Sequence, residues 1–212
     1  MDTAHTDERF LIVIGREYGS GGRRIGKMLA ERLGATYYDK SLLSAAAARL
    51  GYAPEIFARK DERRPSLIRS LLSFTYGAPT ANIDEAPMSD EKIYEAQSHV
   101  ITDICSRESC VIVGRTADYI MRRHPRMLSI FVHAPLSARA AAIMERGETG
   151  NLCDAREIAE RNDRNRESFY NYYTNSNGWG RAANYHLSFD SSKVSDDTIS
   201  AVAAEMLGLD NH

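Results

Sequence analysis

The chain has 212 residues, 43% of them hydrophobic, enough for one large α/β domain or two small ones and for a sizeable core. Its 27 basic and 29 acidic residues leave a net charge of −2, which gives no general attraction to nucleic acid or to an anionic membrane. Three cysteines with no Cys-x-x-Cys pair argue against a disulfide framework and fit a reducing cytoplasm, and no apolar run approaches the roughly 20 residues that cross a bilayer.

Residues 1–8 are polar and acidic and read as a short disordered tail ahead of one domain over 9–212. Phe10 to Ile14 is a continuous apolar run closed by Gly15, the pattern of a buried parallel strand. A glycine-rich turn follows. Ile25, Met28, Leu29 and Leu33 then mark an amphipathic helix, with Gly34 suited to stop it. Thr36 to Tyr38 reads as a second strand ending at Asp39. From 41 to 107 the pattern is mostly helical. It includes an alanine-rich stretch from Leu42 to Leu50, an apolar face at Leu67, Ile68, Leu71 and Leu72, and a long helix from near Ser89. Cys110 to Val113 and Leu128 to Val132 are further buried strands, and Pro135 opens another alanine-rich helix. Asp154 with Glu157 resembles a capping box for a helix reaching Tyr173. Tyr185 to Phe189 is the last strand, and Asp196 to Leu207 the last helix. Strands alternating with helices predict a parallel sheet covered on both faces, with ligands outside the carboxyl ends of the strands.

The turn reads Gly15-Arg16-Glu17-Tyr18-Gly19-Ser20-Gly21-Gly22-Arg23-Arg24. Strand, glycine-rich turn and helix together make a phosphate cradle: backbone N–H groups form a concave nest, and the helix N-terminus adds partial positive charge. Gly19, Ser20, Gly21, Gly22, Arg23 and Arg24 are its candidate nucleotide-binding residues. The pattern G-x-x-x-x-G-K-[ST] is not met: Gly22 stands in the lysine position and Arg24 in the hydroxyl position. Arg23 or Arg24 could supply the cation. On this view Gly22→Lys is neutral or helpful if the cradle is intact.

The run REYGSGGRRIG behind FLIVIG resembles the cytidylate kinase-like family, and the resemblance extends from about Phe10 to Leu207. It implies a P-loop nucleoside monophosphate kinase fold: a five-stranded parallel sheet, a helical monophosphate-binding insertion over 41–107 and an arginine-bearing lid over 150–182. It also implies ATP as donor, with Mg2+ brought by the nucleotide, and small-molecule nucleotides as partners. By the same resemblance Asp39 precedes the acceptor-binding helix, although an N-cap is an equal reading. Gly114 and Arg115 match the glycine and arginine of the family's G-R-D-x-G segment, where the arginine grips the acceptor phosphate, while Thr116 replaces its first aspartate. Asp118 is assigned to the same substrate-binding segment.

The stretch Glu160 to Thr174 carries Arg161, Asp163, Arg164 and Arg166, similar to the family's lid. On a helix Asp163, Arg166, Tyr170 and Tyr173 share one face, and Arg161 and Arg164 a neighbouring one. Three arginines within six residues can neutralise a transferring phosphoryl group. Asp163 is read as substrate-binding, and Arg23, Arg161, Arg164 and Arg166 as catalytic. Trp179 is read as packing the lid. The six histidines show no ligand spacing, and the sequence carries no metal-ligating cluster. The expected activity is ATP-dependent phosphoryl transfer to a nucleoside monophosphate such as CMP or dCMP. The alternatives are a nucleotide-binding sensor that does not transfer, motivated by Gly22 and Arg24, and a kinase for a neutral hydroxyl with Asp39 or Asp118 as base.

Overall fold

The structure is a computed structural model, and it describes residues 9–51 and 90–209. The expected apolar face at Leu67 to Leu72 lies outside them. Five strands form the sheet: β1 (Leu11–Arg16), β2 (Thr36–Tyr38), β3 (Cys110–Val113), β4 (Met127–His133) and β5 (Leu187–Asp190). All neighbours pair in parallel, in the order β2-β3-β1-β4-β5. The helices are α1 (Gly22–Arg32), α2 (Lys40–Arg49), α3 (Asp90–Cys105), α4 (Ala117–Ile120), α5 (Leu136–Glu145), α6 (Leu152–Thr174) and α7 (Asp196–Leu207). Among the described residues no helix is long and apolar enough to cross a membrane.

The period of two along β1 sorts the core. Ile12 and Ile14 face α1 and α7, where they pack with Ile25, Leu29, Ile199 and Ala203. Leu11 and Val13 face the other way, onto Leu43 of α2 and Val100, Ile101 and Ile104 of α3. Both faces of β1 are therefore dry, as a central parallel strand requires. By the same alternation Arg16, the last residue of β1, projects on the α1 side.

Most element ends follow local chemistry. Ser195 caps α7 by accepting from Thr198 N–H. The start of α6 differs from the expected capping box. Asn151 is the N-cap and accepts from Cys153 N–H at 2.7 Å, while Asp154 lies inside the first turn, favourable to the helix dipole. The final strand is shifted to Leu187–Asp190 because Ala182–Asn184 forms a 3-10 turn that ends at Tyr185. Helix α6 docks on α5 through Ile143 and the small side chains of Ala140, Ala155 and Ala159.

Leu29 is fully buried between α1 and β1. Leu29→Ala is expected to lower unfolding stability by about 2–5 kcal/mol, measured by urea denaturation.

Candidate active site

Helix α1 starts at Gly22 with Gly21 as N-cap in the left-handed conformation (φ 82°), and that N-cap makes no side-chain hydrogen bond. The first-turn N–H groups have no intrahelical acceptor, so they form an anion-binding terminus. Ser20 is buried and turns its hydroxyl inward, donating to Glu17 O and Val132 O, both at 2.9 Å. Gly19 packs against the backbone of Arg139. The turn thus offers backbone, not side-chain hydroxyls, to a ligand.

A buried ionic network fixes this turn. Arg139 of α5 donates through Nε to Ala134 O (2.9 Å) and through Nη1 to Tyr18 O (3.2 Å) and Asp163 Oδ2 (2.7 Å). Its Nε also lies 3.2 Å from Glu17 Oε2, which accepts from Ala134 N–H. Asp163 Oδ1 accepts from Tyr18 N–H at 2.6 Å. The guanidinium groups of Arg146 and Arg166 lie 5.5 and 5.0 Å from the Tyr18 ring centre, and the Tyr18 hydroxyl donates to Glu148. Asp163, expected to bind substrate, is therefore committed to the turn and to Arg139.

A pocket opens at the carboxyl ends of β1 and β3. Arg16, Arg115, Asp118, Arg166, Tyr170 and Tyr185 are among its walls. Gly114, Arg115 and Thr116 take consecutive positive φ values of 81°, 62° and 50°. Left-handed backbone at two successive non-glycine residues is strained, and such strain gathers at functional sites. It brings Arg115 into the pocket. Thr116, where the family has aspartate, is buried and hydrogen-bonded to Tyr94 of α3 at 2.8 Å. Arg166 donates to Arg16 O at 3.3 Å. Tyr170 donates to Asp118 Oδ2 at 2.8 Å. Burial pushes the Asp118 carboxyl above the usual carboxylate range, against the hydrogen bond from Tyr170. Burial and the Asp118 charge in turn hold the Tyr170 hydroxyl up, so it remains a donor.

Other predicted residues lie elsewhere. Arg24 makes a bidentate pair with Asp196 of α7, one arm at 3.0 Å, and so is tied to the far side of α1. Arg23 is exposed on the first turn of α1, near Asp39. Asp39 caps α2, accepting from Ser41 and Leu42 N–H. Partial burial pushes its pKa up, but these hydrogen bonds and Arg23 hold it below the usual range. Arg161 is exposed, and Arg164 makes a surface contact of 3.8 Å with Glu160. Of the arginines on α6 expected to be catalytic, Arg166 alone reaches the pocket. The face carrying Asp163, Arg166, Tyr170 and Tyr173 is the one α6 turns inward, as the spacing requires, with Tyr173 stacked on Tyr94 at 3.8 Å. Trp179 packs edge-on against Phe131. Arg16, Glu17 and Arg139 were not picked from sequence. The alternation along β1 places Arg16, but Arg139 sits unmarked in an alanine-rich helix.

The arrangement fits a polyphosphate: a bare helix terminus stands beside Arg16, Arg115 and Arg166. It does not build a seat for a metal ion. The hydroxyl position is Arg24, the Ser20 hydroxyl is spent inside the turn, and the described residues bring together no group of three acidic, histidine or cysteine ligands.

A model of the cytidylate kinase-like family matches residues 11–193, and the chain belongs to that family. It is 29% identical over 157 residues to a cytidylate kinase of Methanosarcina barkeri (strain Fusaro / DSM 804), covering 73% of each chain. Its fold is similar to that of an uncharacterized protein from Eubacterium ventriosum ATCC 27560, with TM-score 0.69, 26% identity, and 94% and 99% of the two chains covered. It also shares a fold with shikimate kinase from Bacteroides thetaiotaomicron, with TM-score 0.52, 12% identity, and 94% and 99% covered. Family and fold are those of a kinase-type phosphotransferase of the P-loop class.

Two predictions follow from the site's electrostatics. Arg139→Ala leaves Glu17 and Asp163 without their shared cation and is expected to cost about 3–5 kcal/mol of stability in denaturant titration. Asp118 has a folded-state pKa above its unfolded value. Its destabilising contribution is therefore absent below about pH 3.9 and grows as pH rises through the folded pKa. Asp118→Asn is expected to melt higher than the wild type at pH 8, with the difference closing toward pH 4.

Proposed function

We propose that the chain is an ATP-dependent kinase that transfers a phosphoryl group to a small acceptor, with nucleoside monophosphates such as CMP and dCMP the first class to test. The observation that carries this reading is the convergence of Arg16, Arg115 and Arg166, from three separate segments, on one pocket beside the bare N-terminus of α1. Planar guanidinium groups bind phosphate oxygens in pairs, and placed around a transferring phosphoryl group they stabilise charge without covalent chemistry. The donor's phosphates lie along Gly19 to Gly22. Its nucleoside takes the open cleft of about 690 Å3 at the ends of β4 and β5, lined by His133, Pro135, Trp179 and Arg181. The acceptor takes the pocket on the β3 side, its phosphate on Arg115. Magnesium brought with the nucleotide would supply charge neutralisation on its phosphates. The similarity to the Methanosarcina cytidylate kinase supports a cytidine monophosphate acceptor.

Asp118 favours a second reading. A partly buried carboxyl in the acceptor pocket, held by burial above the usual carboxylate range, suits a general base for a neutral hydroxyl. A phosphate acceptor is already anionic and needs none.

ADP release measured with ATP and magnesium against CMP, dCMP, UMP, AMP, GMP and unphosphorylated nucleosides tests both readings. Turnover that depends on a monophosphate, and survives Asp118→Asn within about tenfold, supports the first. Turnover only with a neutral alcohol, lost in Asp118→Asn, supports the second. ATP binding with no acceptor-dependent turnover would instead indicate a sensor. Within the first reading, Arg115→Ala is expected to raise the acceptor KM more than tenfold. Arg166→Ala is expected to lower kcat by about 10²–10³. Arg164→Ala, on the solvent side of α6, should stay within about twofold.

A further inference from the structure

The turn lacks the lysine of a P-loop, and the arginines that sequence offers in its place point elsewhere. Arg24 is held by Asp196, and Arg23 stands exposed near Asp39. Arg16 is different. In the pattern G-x-x-x-x-G-K, with Gly21 as the second glycine, the first glycine falls on position 16 and the lysine on position 22. This chain has arginine at 16 and glycine at 22, so the cation and the glycine have changed places.

The geometry explains why the exchange is coupled. A Cβ built on Gly22 would lie 2.7 Å from Arg16 Cβ and 2.9 Å from its Cγ. Those atoms are the root of the arginine side chain, which cannot swing aside. The direction in which a lysine would leave α1 is thus already filled by the Arg16 stem. At its other end the guanidinium lies against Gly114, where a Cβ would collide with Nη1. Arg16 therefore runs from above the first residue of α1 to the end of β3, and there it lines the pocket with Arg115 and Arg166. In a P-loop the lysine is the cation that reaches the β/γ-phosphates.

We propose that Arg16 is the phosphate-binding cation of this turn, entering from the end of β1 in place of a lysine from α1, and that Gly22 and Gly114 are glycine to let it pass. The inference rests on the kinase reading and deepens it: the donor's terminal phosphates contact the Arg16 guanidinium. It also reverses the expectation for Gly22→Lys. A lysine there has no free path while Arg16 is present, so the substitution harms.

The test is a swap. Calorimetric ATP binding and thermal melting are measured for the wild type, Arg16→Gly, Arg16→Met, Gly22→Lys and the double variant Arg16→Gly/Gly22→Lys. Glycine at 16 removes the Cβ that would stand 2.7 Å from a Cβ on residue 22. The Met variant keeps the stem over Gly22 and removes only the charge, so it serves if the Gly variant does not fold. Expected are at least tenfold weaker ATP binding for Arg16→Gly and Arg16→Met, and a lower melting temperature with weaker binding for Gly22→Lys. The double variant is expected to recover at least tenfold in affinity over Arg16→Gly. Wild-type affinity in Arg16→Met, or a double variant no tighter than Arg16→Gly, overturns this inference while leaving the kinase reading standing. A wild-type chain that binds no ATP overturns both.

Discussion

One buried guanidinium organises this molecule's working end. Arg139 bridges Glu17 and Tyr18 of the turn, Ala134 after β4, and Asp163 in the middle of α6. Glu17, Tyr18 and Ala134 lie at or beyond element ends, and Asp163 reaches them from the middle of a helix. Arg139 and Asp163 are largely shielded from water, so each needs the other: removing one leaves its partner desolvated and uncompensated. Once Arg139 is satisfied, Asp163 is satisfied, and its second oxygen receives the Tyr18 N–H. The conformation of the turn and the seating of α6 are then one event.

That coupling bears on how α6 works. The helix is held at three levels: by alanines against α5 near its start, by Asp163 at the turn, and by Tyr173 on Tyr94 near its end. Arg166 and Tyr170 lie between the last two anchors, so their reach into the pocket is set by a helix with little freedom. Preorganised cations are the form of electrostatic stabilisation that costs least at the moment of reaction. In this structure the pocket's charges come from rigid elements: Arg16 from the central strand, Arg115 from a strained turn, Arg166 from a clamped helix. The exposed Arg161 and Arg164 belong to the solvated side of the same helix.

The pocket is not uniformly basic. Asp118 and its Tyr170 partner place a carboxyl and a hydroxyl among three guanidinium groups. A buried carboxyl costs stability when ionised. It gives the pocket a hydrogen-bond acceptor beside its three cations, engaged at one oxygen by Tyr170.

The sequence by itself determined the layered α/β fold, because apolar runs of four or five residues flanked by amphipathic helices have few other ways to bury both faces. It also determined the inward face of α6, since the spacing of Asp163, Arg166, Tyr170 and Tyr173 is fixed by helical geometry. Resemblance supplied the family, and the family model bore it out. What the tertiary structure decided was which cations face the pocket. Arg16, Arg23, Arg24, Arg161, Arg164 and Arg166 are chemically alike in a string of letters. Asp196 takes Arg24 from 172 positions away, and solvent takes Arg161 and Arg164. Arg139, in an alanine-rich helix with no local motif, becomes the hub of the site only when α5, α6 and the turn meet. A charged side chain's role depends on its partners across the fold and on the water it loses there, and neither is written in its neighbours along the chain.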